Sequence, residues 1–358
     1  MTSAKQLNLW FWCVGLLVLC LQTTGCRDQQ GGTESAALKK QQIQGPTMGT
    51  TYHITICTPS SDQVDAAQLK RDIDQLLVEI NQQMSTYIKD SELSQFNQTD
   101  AEEWFTVSPE VVKVVSAGLK LSEDSDGAFD MTVGPLVNLW HFGPDPGKKT
   151  LPAKEKIEAA RQKVGYQHIE VQPTPPALKK LIPEVYVDLS AIAKGYGVDA
   201  VGELLEKRAI ENYLVEIGGE MRARGVNQQG QAWKVGIEKP VSESRVVQKI
   251  VPLSNLSMAT SGNYRNFFEV DGVSYSHTID PRTGRPAAHT LASVTVVGKT
   301  CMNCDAIATC LMVLGPEAGY NWVKERNIAA YFIVKTDAGF TEQFSPAWQE
   351  QISEGHES

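Results

Sequence analysis

Apolar residues recur at two alternating spacings from residue 48 onward, one typical of strands and one typical of helices. Residues 50–57 (TTYHITIC) alternate as a strand does, whereas residues 64–84 repeat apolar positions at helical spacing. A second amphipathic helix is predicted over residues 111–122. Further predicted helices cover residues 153–163, 191–207, 302–313 and 316–326, and further strands cover 185–189, 213–217, 234–237, 249–253, 266–270, 273–277, 293–297, 329–334 and 340–344. This order predicts an α+β fold with mixed or antiparallel sheets and packed helices, not a doubly wound parallel sheet.

The first 26 residues have the pattern of an export signal. Lys5 precedes an almost wholly apolar run over residues 7–21, which is shorter than the roughly 20 residues of a spanning helix. The run leads into Thr24-Gly25-Cys26, so Cys26 is the predicted lipidation site. Thr23 departs from the apolar residue usual at that position, and plain cleavage or an uncleaved anchor stays open. A lipid anchor would hold the protein on the bacterial inner membrane, facing the periplasm.

The mature chain is predicted to consist of one domain with flanking polar segments. Residues 27–45 are polar and aperiodic, as a flexible tether would be. Residues 46–348 show no repeat and no obvious linker, and residues 349–358 form a polar tail. The content of 42% hydrophobic and 21% charged residues is typical of a globular protein. A net charge of -9 argues against nucleic acid as a partner, because phosphate neutralisation needs a basic face.

Four cysteines remain if the leader is removed and Cys26 is lipidated: Cys57, Cys301, Cys304 and Cys310. The Cys301-x-x-Cys304 spacing would suit a redox pair or half of a zinc site. A second such pair and a suitably spaced histidine pair are missing from the sequence, so zinc is weakly supported. We favour the interpretation that these cysteines are small buried residues that pack a helix. A disulfide bond between two of them is the remaining alternative.

Three stretches combine turn residues with groups that could meet a ligand. Tyr87 follows a long helix beside two hydroxyl residues and could stack on a planar ring. Asp130 lies among glycines that would let the backbone approach a ligand, or it caps the following helix. Asp188 ends a predicted strand, and Lys194 lies near the first turn of the next helix, where phosphate binds well. Ordinary helix caps are the alternative for all three stretches.

The fourth stretch is the most informative. His277 lies at a hairpin exit rich in turn residues, and Asp305 and Thr309 follow on a predicted helix. Their four-residue spacing places a carboxylate and a hydroxyl on one helix face. This donor pair suits Mg²⁺, a hard cation that keeps waters and recruits phosphate oxygens. The alternative is a hydrogen bond between Asp305 and Thr309 along an exposed helix, which the apolar neighbours make less favourable.

Together these stretches resemble the ApbE family of FAD:protein FMN transferases, over residues 46–348. The matching segments are MGTTY from Met48, MSTYIKDSELSQFN from Met84, DGAFDMTVGPLVNLWHFGP from Asp126, YVDLSAIAKGYGVD from Tyr186, VEIGGE from Val215, TSGNYRNFFEVDG from Thr260, SHTIDPRTGRP from Ser276 and CDAIATCLMVLG from Cys304. Each segment alone is modest evidence, but their occurrence in the family's order is specific. The chain departs from the family at Cys301, Cys304 and Cys310, where Ala or Gly is usual. The resemblance implies a two-lobed, T-fold-like domain with its ligand in the cleft.

The resemblance also implies roles for individual residues. The residues that resemble the FAD-binding set are Met48, Tyr87, Ala128, Phe129, Asp130, Asp188, Lys194 and His277. Asp305 and Thr309 resemble the Mg²⁺ ligands, completed by the backbone carbonyl of Ala191. His277, Asp305 and Lys194 would carry the catalysis, with His277 as the general base or as a residue that holds the flavin.

The implied reaction transfers FMN from FAD to a Thr or Ser hydroxyl of an acceptor protein and releases AMP. The implied acceptors are membrane redox subunits of the sodium-pumping quinone reductase or Rnf type. Two alternatives stay open: hydrolysis of FAD by water, and a flavin-binding module without turnover. The pair Asp305 and Thr309 favours a metal enzyme over a binding module.

Overall fold

The computed structural model describes residues 38–100, 102–143, 150–241, 246–263, 267–270 and 273–354. The predicted export signal and Cys26 lie outside these residues. In the described part of the chain, no helix is both long and apolar enough to cross a bilayer.

The strands in chain order are β1 Leu38–Thr47, β2 Thr50–Pro59, β3 Phe105–Thr106, β4 Ile169–Gln172, β5 Ala177–Lys180, β6 Tyr213–Ile217, β7 Glu220–Arg224, β8 Trp233–Glu238, β9 Val247–Leu253, β10 Leu256–Gly262, β11 Phe267–Val270, β12 Val273–Ser276, β13 Ile279–Asp280, β14 Arg285–Pro286, β15 Leu291–Gly298, β16 Ala329–Thr336 and β17 Gly339–Phe344. Eight of them form the main sheet in the order β1-β2-β6-β7-β10-β15-β16-β17. All strand pairs seen within the described residues are antiparallel.

The helices are α1 Ala66–Met84, α2 Glu92–Gln98, α3 Pro109–Asp124, α4 Gly134–Leu139, α5 Lys154–Arg161, α6 Ala193–Lys207, α7 Cys301–Glu325 and α8 Pro346–Glu354. The predicted α+β class is therefore confirmed. Helix α1 begins where Asp65 accepts hydrogen bonds from the Ala67 and Gln68 amides. Helix α7 breaks at Gly315, which has a φ of 79°, so the two predicted helices on either side of this glycine are correct.

The core consists of several clusters that the helices and the main sheet share. One cluster joins α1 and α6 to the inner strands, with Leu69, Ile73, Val201 and Val215 buried. Another lies between α7 and strands β10, β15 and β16. Helices α6 and α7 pack against each other as well as on the sheet. This packing fixes the ends of both helices, which carry the predicted site residues.

The predicted polar segments at both ends of the domain are wrong in part. Residues 38–45 belong to β1, which pairs with β2 along its whole length. Only two side chains of β1, Ile43 and Thr47, are buried. An edge strand is held by its backbone ladder and needs few apolar residues, which is why its sequence resembles a tether. Residues 349–354 belong to α8, anchored by buried Ala347 and Trp348 and by half-buried Ile352.

The predicted strand over residues 185–189 is also wrong. Its apolar side chains Val185, Val187 and Leu189 are buried, but the segment joins no sheet. The side chain of Asn97 instead bonds both the amide and the carbonyl of Val187, each at 2.8 Å. Alternation predicts buried side chains correctly here, yet the backbone partners come from a side chain and not from a neighbouring strand.

Candidate active site

A cleft of about 400 Å³ brings together most of the residues predicted from the sequence. Those that line it are Tyr87, Ala128, Phe129, Asp130, Asp188, Ala191, Lys194, His277, Asp305 and Thr309. Met48 lines an adjoining cavity of about 630 Å³, which shares Tyr87, Ser190 and Lys194 with the cleft. The two spaces adjoin along these three residues, so an elongated ligand with two ends could occupy both.

Met48 is presented to this region by a tight turn. It lies with Gly49 between β1 and β2, and both residues have positive φ, 48° for Met48 and 71° for Gly49. A positive φ is uncommon for a residue with a side chain, and such strain is frequent at functional sites. The Met48 side chain reaches α6 and packs over Gly197.

One ammonium and two carboxylates form the charged centre of the cleft. The Lys194 Nζ lies 2.6 Å from Glu220 Oε1 and 3.8 Å from Asp305 Oδ1. Both carboxylate side chains are only 4% exposed, whereas the Lys194 side chain is 30% exposed. The first distance is a charge-assisted hydrogen bond, and the second is too long for one. Lys194 therefore binds Glu220 directly and remains close to Asp305.

The pKa shifts at this centre have a common cause. Burial would lower the pKa of Lys194, but the carboxylates of Asp305 and Glu220 raise it above its ordinary value. Burial raises the pKa of Glu220; Lys194 opposes that rise and Asp305 adds to it. Lys194 is consequently a fixed positive charge in the cleft.

Asp305 also organises the beginning of α6. Its Oδ2 accepts the Gly195 amide at 3.0 Å, a donor that in a regular helix would bond the carbonyl four residues earlier, at Ala191. None of the hydrogen bonds among the described residues ends on that Ala191 carbonyl. A negative side chain at a helix N-terminus is favourable, and the diverted bond leaves the Ala191 oxygen available to a ligand.

Thr309 faces the cleft from the next turn of α7. Its Oγ1 lies 3.5 Å from Ser261 Oγ of β10, the strand on which α7 packs. Asp305 and Thr309 do share one helix face, as their spacing predicts, and this face is turned to the cleft and not to solvent. The alternative of an exposed Asp-Thr pair is therefore wrong.

Asp130 shapes the wall of the cleft and does not cap a helix. Its Oδ1 accepts the amide and the hydroxyl of Thr132, and its Oδ2 accepts the Tyr166 amide at 2.9 Å. The following helix, α4, has no side-chain cap, so that prediction is wrong. Burial raises the pKa of Asp130, while these hydrogen bonds oppose the rise. The carboxylate thus ties the segment at Thr132 to the loop at Tyr166.

Asp188, Tyr87 and His277 complete the rim of the cleft. The Asp188 carboxylate accepts the amide and hydroxyl of Ser190, which fixes the turn before α6. Tyr87 is 66% exposed, so its ring is free to stack on a planar ligand. The His277 ring lies edge-on to Phe142, with 6.3 Å between the ring centroids.

Glu220 is the site residue that the sequence-based prediction missed. It follows Gly218-Gly219, whose positive φ values of 61° and 109° make the tight turn between β6 and β7. That turn directs the first side chain of β7 into the cleft. The signal was the motif VEIGGE, in which an acid directly follows a glycine turn.

The predicted metal can be tested against these donors. The described residues contain no cluster of three or more His, Cys, Asp or Glu side chains able to hold a metal ion. Asp305, Thr309 and the free Ala191 carbonyl nevertheless offer hard oxygen atoms, which suit a cation that keeps several waters. Glu220 Oε2 is buried and has no hydrogen-bond partner among the described residues, which a bound ion or water would explain. The donor set fits Mg²⁺.

The cysteines confirm the packing interpretation. Cys57, Cys301, Cys304 and Cys310 are buried free thiols. The Cys301 and Cys304 thiols point to the carbonyls of Met258 and Ser257 in β10. These two thiols thus pack α7 on the sheet.

Comparison with known proteins gives the class that this fold and cleft define. The family model described as "ApbE family" matches residues 48–332. The chain belongs to the ApbE family, and its predicted class, a transferase enzyme of this family, is confirmed.

Individual relatives agree with this assignment. The chain is 46% identical over 342 residues to a Vibrio cholerae protein named FAD:protein FMN transferase, covering 96% of this chain and 99% of the relative. It is 39% identical over 345 residues to the Escherichia coli protein of the same name, covering 96% and 98%. A solved structure of the flavin transferase ApbE from Vibrio cholerae has a TM-score of 0.81 at 47% identity and covers 87% of this chain and 99% of that chain. An apo structure of the Pseudomonas stutzeri flavinyl transferase ApbE has the same TM-score at 40% identity, covering 88% and 97%.

Proposed function

We propose that this chain transfers the FMN half of FAD to a Thr or Ser hydroxyl of an acceptor protein, in a Mg²⁺-dependent reaction that releases AMP. The observation that carries the proposal is the single cleft in which Lys194 and Asp305 lie with Thr309 and His277. Membership of the ApbE family and relatives named FAD:protein FMN transferase support the identity of the donor and of the group transferred.

The cleft and its adjoining cavity suit the two ends of a dinucleotide. Tyr87 borders both spaces, Phe129 forms a wall of the cleft, and Met48 borders the cavity, so planar rings would find apolar surfaces on both sides. Lys194 borders both spaces and would hold the negatively charged diphosphate between the two ends. Asp305, Thr309 and the Ala191 carbonyl would hold Mg²⁺, which when bound supplies charge neutralisation to the diphosphate oxygens.

The proposed step exchanges one phosphorus–oxygen bond for another. The acceptor hydroxyl oxygen forms a bond to the FMN-side phosphorus, the bond from that phosphorus to the bridging oxygen breaks, and AMP leaves with that oxygen. His277 takes the hydroxyl proton, because imidazole titrates near neutral pH. Most of the acceleration in such transfers comes from positioning and from charge stabilisation, which a preorganised Lys194 provides.

The deciding experiment incubates the full chain with FAD, Mg²⁺ and a candidate acceptor that carries a Ser/Thr motif, followed by mass spectrometry of the acceptor. The expected result is one added FMN mass on a Thr or Ser, with one AMP released per modification. An acceptor with that residue replaced by Ala should stay unmodified. Free FMN without any acceptor would identify a hydrolase instead, and stable FAD without AMP would identify a binding module.

Two variants separate binding from catalysis. His277→Ala should abolish modification of the acceptor while FAD binding, followed by flavin fluorescence, stays largely intact. Equal loss of both would assign His277 a role in holding the flavin. Asp305→Asn should lower activity at low Mg²⁺ and recover in part at high Mg²⁺, because a weaker ligand set raises the cation concentration needed.

The predicted leader and the family membership support a proposal for the acceptor and the cellular location. We propose a lipid anchor on Cys26, which would hold the enzyme on the periplasmic face of the inner membrane, near membrane redox subunits of the quinone reductase or Rnf type. Replacing Cys26 by Ser should release the protein from the membrane fraction. Retention of the Cys26→Ser protein would contradict the lipid anchor.

A further inference from the structure

The Lys194 ammonium lies between two carboxylates, and one of them, Glu220, has no role in the function proposed above. Glu220 lies at hydrogen-bond distance, 2.6 Å from Nζ, and Asp305 lies at 3.8 Å. At that distance the Lys194 ammonium donates no hydrogen bond to Asp305 Oδ1. Asp305 Oδ2 is already bonded to the Gly195 amide. Oδ1 is therefore the oxygen of Asp305 that a cation can use.

We propose that Glu220 is a positioning residue that holds the Lys194 ammonium away from Asp305 and so keeps Asp305 Oδ1 open for the cation. The inference rests on the proposed function, because it takes Asp305 as a cation ligand. Without Glu220, Asp305 is the acidic group nearest to the Lys194 ammonium among the described residues. The ammonium would move toward it, and the new ion pair would occupy the oxygen that the cation needs.

The surroundings of Glu220 explain why it can act in this way. Its backbone is fixed in the ladder between β6 and β7, and its side chain is 4% exposed. A buried carboxylate cannot exchange its partner for water at low cost, so the pair with Lys194 is kept. Lys194 is on the first turn of α6, and its flexible stem allows the ammonium to reach either acid.

The test measures binding of Mn²⁺ alone, as a paramagnetic substitute for Mg²⁺, by electron paramagnetic resonance on the full chain without FAD. Glu220→Met should raise the Kd for Mn²⁺ by about 10-fold, the size of effect expected when a neighbouring cation occupies a ligand. Adding Lys194→Met should restore the Kd to within about threefold of the wild type, because the competing ammonium is gone. Circular dichroism checks that every variant is folded.

Two controls make the result specific. Glu216→Met removes another carboxylate of the same hairpin, one bonded to the Gly219 amide, and should leave the Kd unchanged. Glu220→Gln keeps the shape of the side chain and serves if Glu220→Met does not fold. It should weaken Mn²⁺ binding less, and Lys194→Met should again restore it.

Two results would overturn the inference. One is a Kd for Glu220→Met equal to that of the wild type. The other is weak binding that Lys194→Met does not restore, which would mean that Glu220 acts on the cation directly. Failure of the cation site that the proposed function assumes gives a different pattern, since Mn²⁺ binding would then be absent or unaffected by the single substitution Asp305→Asn. Failure of the transfer reaction alone shows as free FMN or as stable FAD in the acceptor assay and leaves Mn²⁺ binding unchanged.

Discussion

His289 Nε2 donates a hydrogen bond to the Met312 carbonyl across 2.8 Å, at the point where α7 breaks. The carbonyl is available because the residue four positions later is Pro316, which has no amide hydrogen to donate. The other ring nitrogen, Nδ1, accepts the Leu291 amide at 3.2 Å. These two bonds require the neutral ring, with its hydrogen on Nε2.

This geometry predicts a pH dependence of stability. Burial lowers the pKa of His289, so below the ordinary histidine value of about 6.5 the unfolded chain binds a proton that the native protein does not. The neutral His289 ring therefore contributes fully to the free energy of unfolding above that pH, and this contribution is lost as pH falls through the native pKa. His289→Gln, which cannot titrate, should show a smaller fall in the free energy of unfolding between neutral and mildly acidic pH. Urea unfolding at several pH values checks this, and equal slopes for both proteins would contradict it.

The contact between α6 and α7 leaves no room for a side chain at Gly195. A Cβ atom on Gly195 would lie 2.4 Å from the Cys301 carbonyl oxygen and 2.7 Å from the Met302 Cα. Because these are backbone atoms, Gly195→Ala must push the helices apart, at a cost of about 1–3 kcal/mol or more. The same shift separates the Gly195 amide from Asp305, so activity should fall as well.

Gly319→Ala is the matched control for this prediction. Gly319 is also helical, and its added Cβ would meet the flexible Leu311 side chain at 3.3 Å. That variant should unfold within about 1 kcal/mol of the wild type, since Ala favours the helix and a small clash opposes it. Thermal unfolding and the acceptor assay on both variants decide the question. Equal stability and activity of the two variants would mean that the α6–α7 contact adjusts to an added methyl group at little cost.

Replacement of Asp199 should cause the largest loss of stability among these variants. Its two carboxylate oxygens accept the Cys301 and Met302 amides, at 3.0 and 2.9 Å, and Oδ1 also lies 3.1 Å from Arg222. Asp199→Ala leaves two buried amides and part of a half-buried guanidinium without partners, which should cost about 3–5 kcal/mol. Asp65→Ala removes the exposed cap of α1 and should cost clearly less, because water can replace the cap there. Urea unfolding compares the two, and equal losses would contradict the prediction.

The buried thiols should be unreactive in the native protein. Burial raises the pKa of Cys310 to about 12 and also raises the pKa values of Cys57, Cys301 and Cys304. Since the thiolate is the reactive form, iodoacetamide at mildly alkaline pH should leave these positions unlabelled and should label them after denaturation. Peptide mapping by mass spectrometry identifies each site. A Ser61→Cys variant supplies an exposed control thiol, and native labelling of Cys301 or Cys304 would overturn their role as packing residues.

Hydrophobic periodicity predicted those elements whose burial is regular. Residues 213–217 were predicted as a strand with the observed bounds, and the predicted helix over residues 64–84 corresponds to α1. Strands β1 and β10 were not predicted, because β1 is a polar edge strand and β10 (LSMATSG) mixes polar and apolar positions. Whether such segments become strands depends on the neighbours that supply their hydrogen bonds.

The sequence alone determined the local chemistry of this protein: a carboxylate and a hydroxyl one helical turn apart at Asp305 and Thr309, and a lysine at the start of a helix. Only the tertiary structure decided how these groups are shared. It brought Asp305 to the Gly195 amide, 110 positions away, and it gave Lys194 a second partner in Glu220. Helical spacing is set by covalent geometry and appears in the order of residues, whereas these contacts depend on how α6, α7 and β7 pack, which no local pattern encodes.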